Sequence, residues 1–116
     1  MTHLEILLLR HGQTDWNKAG RWQGHADIPL NQRGQQQAEA LCQRLQNWPI
    51  DTIYTSDLRR CVQTAVPLAK ARGLEPVKTK IWRERDVGDF SGLTGIEARE
   101  QYPHIWNKAV RGKIDP

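Results

Sequence analysis

The chain has little with which to staple itself covalently or around a metal. Its 116 residues include only two cysteines, Cys42 and Cys61, whose separation matches neither a zinc site nor a redox pair, so reduced thiols buried within helices are expected. No apolar run is long enough to span a membrane. The amino terminus lacks the apolar length and cleavage pattern of a signal peptide, and a cytoplasmic protein is expected. Repeats, low-complexity tracts and linkers are absent, and the size suits one domain with a modest core. Charge of one sign is not missing: 17 Lys and Arg stand against 13 Asp and Glu, a formal +4, which favours anionic partners. The basic residues form neither a run nor a helix stripe. That pattern disfavours nucleic acid and favours a small phosphorylated ligand. Five scattered tryptophans, at 16, 22, 48, 82 and 106, are expected mainly in the core or a pocket wall.

What is present starts with Ile6-Leu7-Leu8-Leu9, an apolar run that stops at Arg10-His11-Gly12. It reads as a buried central strand, and α/β sheets bind ligands beyond the carboxyl ends of such strands. The plainer alternative is a strand ending in a solvated turn. Residues 13–30 lack periodicity and form a loop too long for an ordinary connection. Asn31 is placed to cap a helix with Ala38, Leu41, Cys42, Leu45 and Trp48 on one stripe, facing the sheet and ending at Pro49. Thr52 to Thr55 reads as a second strand, with Ser56 as the next helix cap. That helix carries Leu58, Val62, Ala65 and Ala69, is expected to kink ahead of Pro67, and ends at Gly73. Glu75 to Lys80 offers an edge strand, Trp82 to Ser91 is irregular, and Thr94 to Glu97 is a capping box whose short helix Pro103 stops. Beyond Pro103 no further element is expected.

Six motifs recur in order. They are Arg10-His11-Gly12-x-Thr14-x-Trp16-Asn17, Gly20-Arg21-x-Gln23-Gly24, Asp27-x-Pro29-Leu30, Tyr54-Thr-Ser56-Asp57-Leu-Arg-Arg60, Gln63-Thr64-Ala65 and Arg83-Glu84-x-x-x-Gly88-Asp89-Phe90-Ser-Gly92. Together they resemble the histidine phosphatase superfamily, on the small-phosphatase side of the phosphoglycerate mutase-like fold. The resemblance implies a three-layer α/β/α sheet and hydrolysis of small phosphomonoesters without a metal or organic cofactor. His11 matches the nucleophile, and an imidazole attacks phosphorus only when neutral. Arg10 and Arg60 match phosphate-binding arginines, while Arg59, about 100° around the helix, is expected in solvent. Asn17, Gln23 and Gly24 match loop positions around the phosphoryl group. Glu84 matches the general acid. Arg83 and Arg85 flank it and favour its charged form, so the acid role requires them to point away and a phosphate dianion to lie beside the carboxyl. A surface salt bridge is the alternative. His3, His25 and His104 receive no chemistry, although His25 has a place at the substrate entrance.

The resemblance also implies what to expect of the architecture. Family members continue to a further strand, lying between the first two strands here, that ends in a second active-site histidine. The chain is therefore expected to be the amino-terminal portion of a longer domain, with an incomplete sheet and a tendency to form a homodimer by strand exchange. A non-catalytic phospholigand-binding or inactive fragment, lacking that second histidine, is the alternative reading of function.

Overall fold

The computed structural model describes residues 3–110. Its centre is a β-α-β unit. Strand β1 (Tyr54–Ser56) is followed by helix α3 (Arg59–Arg72) and strand β2 (Val77–Thr79), and the two strands pair in parallel with Tyr54, Thr55 and Ser56 opposite Val77, Lys78 and Thr79. Parallel strands cannot be joined by a tight turn, and α3 supplies the crossover. Helix α2 (Gln32–Arg44) precedes this unit and packs on α3. Leu30, Ala38, Leu45, Leu58, Leu68 and Ala69 are buried. The fold is α/β with a small parallel sheet.

Local signals account for most boundaries. The Asn31 side chain accepts the Gly34 N–H at 2.8 Å and starts α2, a satisfied N-terminal donor. Helix α3 ends with left-handed Gly73 (φ 64°), where the Gly73 and Leu74 N–H groups return to the Lys70 and Ala69 carbonyls. This is the Schellman arrangement. Pro67 lies inside α3, which continues on both sides of it. Thr94 caps helix α4 (Gly95–Gln101) with the expected capping box.

Several expectations change. Residues 6–9 form no strand, and Ile6, Leu7, Leu8 and Leu9 are exposed. Apolarity favours burial but supplies no ladder, and no neighbouring strand reaches this segment among the described residues. Helix α2 stops at Arg44, leaving Trp48 outside it and 45% exposed, and its apolar face meets α3 rather than the sheet. The second strand sits two residues later than Thr52. Ser56 consequently belongs to it, and the cap position falls to Leu58, whose N–H donates to Ser56 Oγ at 3.1 Å. Helix α4 ends just before Pro103 as expected, but Pro103 also opens helix α5 (Pro103–Val110) where no further element was expected, because the first helical turn has no use for the N–H that proline lacks. Trp82 joins Trp48 as exposed; Trp16, Trp22 and Trp106 are half-buried, as are both cysteines. The long loop contains a one-turn helix, α1 (Asp15–Lys18). Among the described residues no helix is long and apolar enough to cross a membrane.

Candidate active site

Gly12 sets the position of the histidine. A Cβ there would lie 2.6 Å from the Gly34 carbonyl oxygen, so only glycine lets this segment press against the start of α2. From the other side, the Gly12 N–H donates to Thr64 Oγ1 at 2.9 Å, and that hydroxyl donates to the Arg60 carbonyl at 2.7 Å. One buried hydroxyl thereby ties the histidine segment to the helical turn that carries Arg60.

His11 is half-buried, and its Nδ1 lies 2.6 Å from the Gly12 carbonyl oxygen. A carbonyl can only accept, so Nδ1 carries the proton and Nε2 keeps its lone pair. Burial lowers the pKa of His11 from its ordinary value near 6.5; the Gly12 hydrogen bond opposes this, Arg60 and Arg10 reinforce it, and Glu84 opposes it. The neutral ring is therefore the dominant form at neutral pH.

The ring opens onto a cleft of about 300 Å³ lined by Arg10, Asn17, Arg21, Gln23, Glu84 and Arg85, with Trp22, Gly24 and Val87 completing the wall. Arg10 is exposed. A second cleft of about 280 Å³ reaches His11 from the side of α2 and α3, past Gln37, Leu41 and Thr64. The carboxamide oxygens of Asn17 and Gln23 are already engaged. Thr14, fully buried, donates its N–H to Asn17 Oδ1 at 3.0 Å and its hydroxyl to Gln23 Oε1 at 2.5 Å. What either amide can offer an anion is its NH₂ group.

Arg60 is placed differently from an open phosphate clamp. It is 1% exposed, the largest of the fully buried side chains, and its guanidinium donates to the Ala26 and Gly24 carbonyls at 2.6 Å each and to Glu84 Oε1 at 3.1 Å. Its Nε is buried without a partner among the described residues. Arg59 is exposed. Glu84 is half-exposed at the cleft. Of its two arginine neighbours, Arg83 turns away to grip Asp57 through two bonds of 2.6 and 2.8 Å, holding that carboxyl below the usual range, while Arg85 lines the cleft.

Gly24 adopts φ 53°, and a Cβ there would lie 2.7 Å from Val87 Cγ2. The turn at Gly24 and the segment after Glu84 are thus in contact. Behind the cleft, Trp22 packs edge-on against Phe90 at 5.3 Å, with Trp106 of α5 beside both. Arg21 Nη1 reaches Glu97 of α4 at 2.8 Å and the Gly92 carbonyl at 2.7 Å, fixing the rear wall. Arg21, Thr14 and Thr64 fall within the sequence motifs, but their types alone did not separate wall and tie from spectator. Among the described residues, no group of three or more His, Cys, Asp or Glu side chains is arranged to hold a metal ion.

Chemically, this is an α/β protein with a half-buried, neutral imidazole in a cationic cleft, suited to an anion. Comparison with known proteins agrees with that class. The sequence matches the histidine phosphatase superfamily (branch 1) over residues 6–116, and the chain belongs to that family. It is 38% identical over 107 residues to phosphoserine phosphatase 1 of Hydrogenobacter thermophilus, covering 92% of this chain and 51% of that protein. It is 40% identical over 114 residues to the metal-independent phosphoserine phosphatase of Arabidopsis thaliana, covering 96% and 48%. The structure superposes with a TM-score of 0.78 on the phosphoserine phosphatase of Entamoeba histolytica in complex with 3-phosphoglyceric acid, at 32% identity, covering 89% of this chain and 50% of that one. The chain spans about half the length of the curated relatives it matches.

Proposed function

We propose that the protein hydrolyses small phosphomonoesters, or transfers their phosphoryl group, through a phosphohistidine on His11, with Glu84 as general acid. The observation that carries this reading is the His11 ring itself, neutral, protonated at Nδ1 by its bond to Gly12, and open to a cationic cleft at Nε2. In the first step Nε2 forms a bond to phosphorus as the P–O bond to the alcohol breaks, and Glu84 gives its proton to the departing oxygen. In the second, water attacks phosphorus, the N–P bond breaks, and Glu84 recovers a proton. Arg10 lines the cleft and takes phosphoryl oxygens, while the Asn17 and Gln23 NH₂ groups add neutral donors beside Gly24. Arg60 contributes positive charge from beneath and holds Glu84. Arg85 lines the same cleft rather than pointing away, and a bound phosphate dianion takes up its charge while disfavouring a second negative charge on Glu84, so substrate itself promotes the protonated acid.

The chain covers only about half of its relatives' length, and Glu84 pairs with Arg60 in the ligand-free cleft. These two facts favour a second reading, a phospholigand-binding module that forms phosphoenzyme without turnover. Acid-quenched mixing with a radiolabelled phosphoester separates them. The first reading expects steady release of phosphate and no trapped label on His11→Ala; a burst without release supports the second. Label retained on His11→Ala would remove His11 as nucleophile. Glu84→Gln is expected to slow an alkyl phosphate far more than nitrophenyl phosphate, whose leaving group departs without a proton; equal slowing would deny the acid role.

The exposed apolar run at residues 6–9 supports association with a second copy by strand exchange.

A further inference from the structure

Glu84 lies in a stretch, residues 83–87, with no helix or strand to fix it. It is nevertheless gripped twice. Arg60 holds its carboxylate at 3.1 Å, and His25 Nε2 lies 2.8 Å from its backbone carbonyl oxygen. That oxygen can only accept, so Nε2 of His25 carries a proton. The opposite ring nitrogen, Nδ1, faces Asp86 Oδ2 at 3.8 Å, while Asp86 Oδ1 accepts the Gly88 N–H at 2.9 Å. His25 sits in the turn closed by the Ala26 N–H on the Gln23 carbonyl at 2.8 Å, and the Gly24 and Ala26 carbonyls of this turn are those bound by Arg60. The turn and the Glu84 segment are therefore cross-linked through a backbone and a side chain at once.

We propose that His25 is a positioning residue for Glu84, fixing the backbone from which the carboxyl reaches the cleft. The inference rests on the reading of Glu84 as general acid. Arg60 alone leaves the carboxyl at the end of a side chain whose backbone is irregular; the His25 bond removes that freedom. Protonation of His25 keeps the Nε2–H donor and adds a second donor toward Asp86, so the link survives in both charge states.

The test uses the full chain and two esters. His25→Ala is expected to slow an alkyl phosphate about tenfold, the order of loss that follows a small misplacement of a catalytic group, and to leave nitrophenyl phosphate within about twofold. His25→Gln, whose amide can donate to the same carbonyl, is expected to restore most of the alkyl rate. Nitrogen-15 spectra of the parent chain are expected to show the neutral ring protonated at Nε2. A neutral ring protonated at Nδ1 would overturn the inference, as would equal slowing of both esters or no slowing of either. Leaving-group bias in Glu84→Gln without bias in His25→Ala would overturn this inference alone. Absence of bias in Glu84→Gln would overturn the acid reading and the inference with it.

Discussion

The most apolar segment of the chain is among its least buried, and one of its most polar segments is among its best secured. Leu4, Ile6 and Leu8 are 82, 72 and 87% exposed, whereas the turn around Gln23 and Gly24 is buried, bonded by Thr14 and Arg60 and packed against Val87. The difference is reciprocity. Burying a leucine needs an opposing surface, and an extended backbone needs a ladder as well; the described residues cover Leu7 and Leu9 only in part and offer residues 6–9 no ladder. The polar turn brings its own partners, because its Gly24 and Ala26 carbonyls meet donors from Arg60 and its Gln23 carbonyl meets the Ala26 N–H.

The largest expected effect comes from breaking that reciprocity. Arg60→Ala strands the Gly24 and Ala26 carbonyls and releases Glu84, at an expected cost of roughly 2–4 kcal/mol in urea unfolding and a severe loss of phosphoryl transfer. Arg59→Ala, on the exposed side of the same helix, is expected to stay within about 0.5 kcal/mol. Equal losses would show that the turn is not held by Arg60.

The same contrast marks how much was legible beforehand. Elements closed by near neighbours were readable: the Asn31 cap, the Gly73 stop and the Thr94–Glu97 box all act within a few residues. The α/β class and the family followed from motif order. Residues 6–9 were misread because an apolar run declares a wish for burial and not the presence of a partner. Ser56 lost its cap role because strand β1 extended into it, and, although α4 does end just before Pro103, the helix that follows was missed because proline serves as well at a helix start as at a stop. At the cleft, the resemblance implied that Arg60 binds phosphate. Its burial under two carbonyls depends on the Gly24 turn, which no local pattern displays.

A smaller effect should appear with pH. The depressed pKa of His11 means that, between the folded midpoint and about 6.5, the unfolded chain binds more protons than the folded one. Stability from this group is thus fully present above about 6.5 and is lost as pH falls through that window. Urea unfolding between pH 5 and 8 is expected to show this slope in the parent and a shallower one in His11→Asn. An identical slope in both would place the proton uptake elsewhere. Proton-detected titration of the ring gives the independent reading, with a His11 midpoint below the ordinary value.

The smallest effect is expected at the exposed run, and its smallness is the point. Leu8 is 87% exposed, so Leu8→Lys in an isolated chain removes almost no buried apolar area and should change stability by no more than about 0.5 kcal/mol. Association alters that accounting. If a second copy covers residues 6–9, the parent's thermal midpoint rises with protein concentration, because the bound partner stabilises only the folded form, and Leu8→Lys abolishes the rise by placing a charge in the covered strand. At low concentration the two chains should melt together; at high concentration the parent should melt higher and scatter light as a dimer. Midpoints independent of concentration in both chains, with monomeric scattering throughout, would show that the apolar run stays bare between copies and that strand exchange is not its use.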